Sequence, residues 1–419
     1  MSIEAPLLSA VVARLANPTI NLAAYGSVAS PLIGILQAPI LTLLSLSTAM
    51  SKDWDSFQKG RKIMFYLGGG LTLLYLAIVF TPFYEVLVRQ VIGAPDEIVE
   101  PARWAMFVGV PWTFAVAYRR FHQGMMIRFE HSRAITVGTM LRFSADAAVL
   151  LFALWVQTIP GAMVASGMMV CGVITEAVYV GLRVRPVIRY ELRLAPPLPV
   201  PIPLRDMVAF FIPLALTPFL NMLIRPIGSA ALSRLPDPLE ALAIWPVISS
   251  FGWLIVTPGA AYNEVVIALL DRPGSRRSLQ QFLGILMGAQ GILMLTLALT
   301  PLAYLWFLNA AALDSTYARL AALAFPLLIP SALISPLNSW FVGNILHQRN
   351  SRAITEGMLL YLAVFILGVL VGSRFQQLSG ILITLGSSTL ASIIQTTWLW
   401  IRSRTPFPAL REVPSNNPV

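Results

Sequence analysis

Charged side chains are scarce in this 419-residue chain, 11% of it against 57% apolar residues, so the few that fall inside long apolar runs are the candidates for chemistry. Arg142 and Asp146 lie four residues apart, which on a helix projects both from one face and lets them pair. With Glu176 they form a candidate proton or cation site, because a buried carboxylate beside a mobile partner changes its protonation as that partner moves. Local neutralisation with no further chemistry is the competing reading. Arg225 stands one turn from Asn221 and directly before Pro226. That proline removes a helix hydrogen bond and, with Pro213 and Pro218, makes the segment kinked, exposing carbonyls that are tolerated only beside a cavity. A cation at membrane depth on such a helix reads as a site for an anion, with Asn221 beside it. Glu4 aligns next to Arg225 in the repeat described below, so the two offer opposite charges across a central cleft or simply neutralise each other. Tyr262, Asn263 and Glu264 form a third group, either at the inner mouth of a cavity or with Glu264 paired to Arg272.

Several chemistries are excluded by what is missing. There is no GxxxxGK[ST] phosphate loop, no HExxH and no carboxylate pair in a hydrophilic cleft, so the chain is not expected to be an enzyme or to hydrolyse ATP. The one cysteine, Cys171, sits in an apolar run, which rules out a disulfide within the chain and a cysteine-based metal site and reads as a small buried hydrophobe. His122, His131 and His347 fall toward one set of helix ends, where interfacial snorkelling explains them better than metal ligation. No cofactor and no metal are expected. Gly68-Gly69-Gly70 points to close helix packing or a hinge.

The elements that must hold these residues are membrane helices. Mean hydropathy is +0.74, far above a soluble domain. Apolar runs lie near 2–16, 21–50, 61–83, 101–127, 134–157, 160–183, 205–235, 239–270, 279–308, 315–346, 352–374 and 378–402, all but the first long enough to span a bilayer. The chain also repeats itself. His131-Ser132-Arg133-Ala134-Ile135-Thr136 returns as Asn350-Ser351-Arg352-Ala353-Ile354-Thr355, and Pro111, Gly124, Gly161, Arg183 and Arg185 return as Pro330, Gly343, Gly380, Arg402 and Arg404. Nearer the start the offset is one residue longer: Pro6, Arg14 and Pro18 become Pro226, Arg234 and Pro238. A period this long is half a protein, not a solenoid unit. The expected fold is therefore an all-α integral membrane protein. Its twelve transmembrane helices form two pseudo-twofold-related six-helix lobes, 1–183 and 205–402, joined by a proline-rich linker, 184–204, that cannot continue the sixth helix. A disordered tail follows at 403–419. The first run is short beside its repeat partner, so the first helix is expected to be N-terminally truncated, with the true start upstream of Met1.

The net charge of +10 is distributed as a membrane protein distributes it. Loops after even-numbered helices and the tail hold 19 of the 29 basic residues, among them Lys52, Lys59, Arg61, Lys62, Arg128, Arg183, Arg185, Arg276 and Arg277. The other side has Arg14, Arg89, Arg103, Arg234, Arg319 and Arg374 mixed with acids. This bias puts both termini and the linker in the cytoplasm of a plasma (inner) membrane, and leaves no reason to expect nucleic acid as a partner.

Two six-helix halves, a cytoplasmic linker and proline-bent first and seventh helices resemble the multidrug/oligosaccharidyl-lipid/polysaccharide exporter superfamily, which includes the MATE carriers. Phe211-Ile212-Pro213-Leu214-Ala215-Leu216, Arg225-Pro226-Ile227, Ser233-Arg234, Phe251-Gly252-Trp253-Leu254 and Leu22-Ala23-Ala24-Tyr25-Gly26 look most like the progressive ankylosis family. That resemblance implies a V-shaped, alternating-access secondary carrier that exports small anionic metabolites. The resulting expectation is an exporter of a small anionic solute, binding through Arg225, Asn221, Glu4, Asn263 and Glu264. Coupling to a proton or sodium ion would run through Asp146, Arg142 and Glu176, with membrane lipids as the remaining partners. A flippase for a lipid-linked headgroup and a non-transporting scaffold are the alternatives; the first would need extra basic residues facing the cleft, which the sequence does not offer.

Overall fold

The computed structural model describes residues 4–199, 201–270, 274–347, 351–375 and 377–404. Of the tail expected at 403–419, residues 403 and 404 continue the last helix and the rest lie outside the described residues, as do Arg272 and its pairing with Glu264. Among those described the chain is helical and has no strand. In chain order the helices are α1 (Glu4–Val12), α2 (Pro18–Met50), α3 (Trp54–Phe80), a short α4 (83–92), α5 (Asp96–Arg128), α6 (Ser132–Val156) and α7 (Gly161–Leu192). They continue as α8 (Leu204–Leu232), α9 (Pro238–Leu269), α10 (Ser275–Leu299), a short α11 (302–310), α12 (315–347), α13 (Ser351–Gly372) and α14 (Gly380–Arg404). Nine helices among the described residues are long and apolar enough to cross a membrane, so the molecule is a multi-pass membrane protein.

Two sequence expectations are corrected by local chemistry. The runs 61–83 and 279–308 end earlier, at Phe80 and Leu299, and are followed by the separate α4 and α11. Thr81 and Thr300, each preceding a proline, are driven to extended backbone, with φ −107° and −112°. The linker does not begin at residue 184: α7 runs through Pro186 and ends in a wide π turn over Ile188–Leu192. Proline lacks one donor, and the five-residue register of that turn absorbs the offset. The linker is then tied down by Asp53, whose carboxylate caps α3 by accepting from the Ser56 N–H at 3.0 Å and also accepts from the Leu198 N–H at 3.2 Å.

The repeat is visible in matching contacts. Gly124 leaves no room for a side chain against α2, where an added Cβ would lie 2.4 Å from the Leu44 carbonyl and 2.7 Å from Ser47. Its counterpart Gly343 meets Asn263 and Val266 of α9, the residues equivalent to Leu44 and Ser47, at 3.3 and 2.8 Å. Gly138 packs on Tyr179 just as Gly357 packs on Trp398. The bond from Ala94 N–H to Val88 at 3.0 Å is repeated from Leu313 to Phe307 at 3.0 Å.

Packing divides the chain differently from the repeat. One compact unit gathers residues up to Phe251 with Tyr304–Ala321 and Ser373–Thr384; the other holds Gly252–Ala303, Ala322–Gly372 and the described residues from Leu385. The first has a core of Ile40, Leu43, Phe57, Met64, Phe121 and Met207. The second is organised around Tyr262, Leu279 and Trp340, with the Tyr262 hydroxyl donating to the Leu279 carbonyl at 2.7 Å. Gly68 approaches Ala117 so closely that a Cβ there would lie 2.8 Å away, whereas Gly69 and Gly70 face open space, so only the first of the three packs tightly. Cys171 is exposed on α7, and His122 is buried under Tyr118 and Phe121, both contrary to expectation.

Candidate solute pocket and charged cluster

Residues of α1, α2, α8 and α9 in the first unit enclose a pocket of about 70 Å³, room for roughly half a dozen waters. Position 26 and its repeat equivalent 246 touch: a Cβ on Gly26 would sit 2.3 Å from the Pro246 ring. Two positions equivalent in the repeat are thus in contact, and the pocket is built around them. Tyr25 and Trp245 line it as one equivalent pair, Ser30 and Ser250 as another, Ala5 and Arg225 as a third. The third pair breaks the symmetry, putting a guanidinium on one side and a methyl on the other. Arg225 is open to this space and, among the described residues, makes no ion pair. Local bends shape the wall. The backbone of α2 widens into a π turn over Ala23–Ala29, which brings Tyr25 and Gly26 to the pocket, and the Ser27 hydroxyl donates to the Leu242 carbonyl of α9 at 2.5 Å.

The expected solute ligands separate. Of the five, Arg225 lines the pocket. Asn221 is exposed one turn away but is not part of the wall. Asn263 and Glu264 belong to the second unit, the former half-buried, the latter exposed. Glu4 is buried and pairs with Arg142, so its expected partnership with Arg225 gives way to one inside the charged cluster.

That cluster lies where α1, α5, α6 and α7 meet. Arg142 contacts Glu4, lies 3.7 Å from the Asp146 carboxylate and 3.9 Å from Glu176. Glu176 is also gripped by Arg119 and by Gln123, whose amide donates to it at 2.8 Å. All six side chains are at least nine-tenths buried. Asp146 is the weakly held member: both its oxygens are buried with no hydrogen-bond partner among the described residues. It fits only because position 172 is glycine, where a Cβ would lie 1.9 Å from an Asp146 oxygen. The structure therefore joins Arg142, Asp146 and Glu176, as the spacing indicated, and adds Glu4, Arg119 and Gln123. Arg119 and Gln123 were legible as a charged and a polar residue four apart, but they stand at the end of the apolar run 101–127, where polar residues ordinarily mark the membrane surface. In the second half the equivalent positions are uncharged, Tyr361 stacking on Phe365 at 6.2 Å. No group of three or more potential metal ligands exists among the described residues.

The fold is that of a multi-pass membrane protein with a MATE-like architecture. The chain is similar to a multidrug resistance MATE family transporter of the MOP superfamily in an inward-facing conformation, with a TM-score of 0.77 at 12% identity over 96% of this chain and 94% of that one. It is similar also to the lipid II flippase MurJ, with a TM-score of 0.64 at 12% identity over 96% and 86% of the two chains. A MOP superfamily transporter from Pyrococcus furiosus, described as having a binding pocket of reverse polarity, gives a TM-score of 0.61 at 14% identity over 96% and 94%. No protein-family model and no curated protein sequence matches the chain.

Proposed function

We propose that this protein is a secondary-active, alternating-access transporter that exports a small anionic solute across the plasma membrane. Its two six-helix lobes, 1–183 and 205–402, rock about the pocket, and both termini and the linker lie in the cytoplasm. The observation that carries the reading is the Arg225 guanidinium, without an ion pair among the described residues, in a pocket built where equivalent positions of the repeat meet, since a cation at membrane depth is costly unless an anion comes to it. The Pyrococcus transporter described as having a reverse-polarity pocket supports the idea that this architecture accepts inversions of pocket charge. Coupling falls to the charged cluster. Asp146, buried and short of hydrogen bonds, takes a proton or sodium ion from one side and yields it as Arg142 shifts between Asp146, Glu4 and Glu176.

Efflux from proteoliposomes, with and without proton or sodium gradients, tests both parts. Arg225→Ala abolishes anion export while leaving the protein inserted, and Asp146→Asn leaves export without gradient dependence. Unchanged export in the first variant removes Arg225 from the site, and full gradient dependence in the second clears Asp146. The flippase reading draws on the likeness to the lipid II flippase. It predicts that a fluorescent lipid-linked headgroup becomes accessible across the bilayer while no soluble anion moves.

A further inference from the structure

Taking the chain as an exporter, we infer that its cargo is a small monoanion with an apolar, preferably aromatic, body, and not a multiply charged metabolite. The charge argument comes first. Arg225 is the only charged side chain among the described residues lining the pocket. Two guanidiniums of the charged cluster, Arg119 and Arg142, are already committed to Glu176 and Glu4. Glu4 and Asp146 also lie within electrostatic reach of Tyr25, on the pocket wall. One negative charge is thus matched by a planar donor fork, whereas a second would be stripped of water with no second cation among the described residues of the wall to meet it.

The remaining wall specifies the body. Leu8, Val12 and Leu22 are apolar, and the Tyr25 and Trp245 rings face the space from equivalent positions in the two halves. Such a pair offers ring faces to an apolar group while Arg225 holds the charged end. The hydroxyls of Tyr25, Ser30 and Ser249 make no hydrogen bond to another described residue, so they are available to the acceptor oxygens of a carboxylate or sulfonate. Ser9 and Ser250 already donate to backbone carbonyls, at 3.0 Å each, and add no further specificity.

Permanently charged sulfonates separate charge from body and do not leak across a bilayer in neutral form. Proteoliposomes are loaded in turn with naphthalenesulfonate, naphthalenedisulfonate, methanesulfonate and citrate, and efflux is followed. Naphthalenesulfonate is expected to leave fastest, with the disulfonate and citrate slower by roughly a hundredfold, the scale of one uncompensated charge at membrane depth. Trp245→Ala should raise the naphthalenesulfonate concentration for half-maximal efflux by a larger factor than that for methanesulfonate. Arg225→Lys, which keeps the charge, should retain more transport than Arg225→Gln. Disulfonate or citrate efflux equal to that of naphthalenesulfonate overturns the monoanion inference but leaves the exporter reading standing. Methanesulfonate efflux matching that of naphthalenesulfonate overturns the requirement for an apolar body. Movement of none of the four, with a lipid-linked probe flipped instead, overturns both the inference and the exporter reading beneath it.

Discussion

At the scale of single residues, the cost of burial decides which groups the protein can use. Glu176 is met by Arg119, Arg142 and Gln123, so removing its charge with Glu176→Gln leaves two guanidiniums facing one another with less to hold them. Breaking a buried pair from one side costs about 3–5 kcal/mol. The expected outcome is a large drop in thermal stability of the detergent-solubilised protein, against a small one for Asp146→Asn, because Asp146 makes no hydrogen bond among the described residues that the substitution would remove. Gly172→Ala tests the same packing: its methyl would lie 1.9 Å from Asp146, so the carboxyl must shift or the helices part, at about 1–3 kcal/mol. Equal melting temperatures for Gly172→Ala and the parent would mean that Asp146 is held less tightly than its burial implies. The cluster was half legible in the sequence. Arg142 and Asp146 announce themselves by helical spacing inside an apolar run, and Glu176 by its isolation. Glu4 was visible as an acid but not as the partner of Arg142, since 138 residues separate them and no periodicity reports a contact at that range.

At the scale of elements, helix ends do work that hydropathy does not reveal. Arg14 donates to the Asn309 and Ala310 carbonyls at 2.7 and 2.9 Å, at the C-terminus of α11. Its repeat partner Arg234 donates to Gln90, Val91 and Ile92 at 3.2, 2.8 and 2.9 Å, at the C-terminus of α4. Each half of the sequence therefore clasps the short helix of the other, a cation on the unpaired carbonyls and negative dipole end of a helix. Both arginines fall on the less basic, non-cytoplasmic side in the sequence reading. If that side must open for release, both clasps have to break. Replacing both with glutamine removes charge-assisted bonds of about 1.5–3 kcal/mol each, enough to shift an opening equilibrium at least tenfold. The check is labelling of a cysteine at Ser250, in a Cys171→Ser background, by an impermeant maleimide added outside. Faster labelling in the double variant supports the clasp, and an unchanged rate rejects it as a gate. On the opposite side Asp53 makes a pH-dependent cap. Burial raises its carboxyl, but hydrogen bonds from Ser56 and Leu198 outweigh that and hold it below its ordinary value. A depressed folded pKa gives stability that is complete above the unfolded value and lost as pH falls through the folded one. Asp53→Asn should thus cost about 1 kcal/mol at neutral pH and progressively less under acid conditions, read as converging melting temperatures. None of these ends could be placed from apolar run lengths, because a π turn, a pre-proline break and a clasping arginine leave hydropathy unchanged.

At the scale of the whole molecule, the duplication that the sequence displays openly is also the frame of the site, yet its most informative feature is where the halves disagree. The matching glycine contacts and the paired wall residues follow from two copies of one plan, whereas Arg225 opposite Ala5, and the charged cluster present in the first half alone, are departures from it. A symmetric pocket would bind and release from both halves alike; under the proposed mechanism the asymmetry assigns solute binding to one half and ion coupling to the other. The contact between positions 26 and 246 is the place to test whether the equivalence is mechanical. Gly26 has no room for a methyl, since Pro246 would meet it at 2.3 and 2.4 Å, and in a close-packed interior that clash must move one helix against the other. Gly26→Ala alone is expected to lower both melting temperature and transport. Pro246→Gly alone should be milder, losing apolar contact and adding flexibility to α9. Combining the two puts the larger residue at position 26 and the smaller at 246, so the double variant should recover much of what Gly26→Ala lost, a coupling measurable as non-additivity in a double-mutant cycle. Strictly additive losses would mean that the two positions do not act as one joint, and the halves would then have to move about some other point.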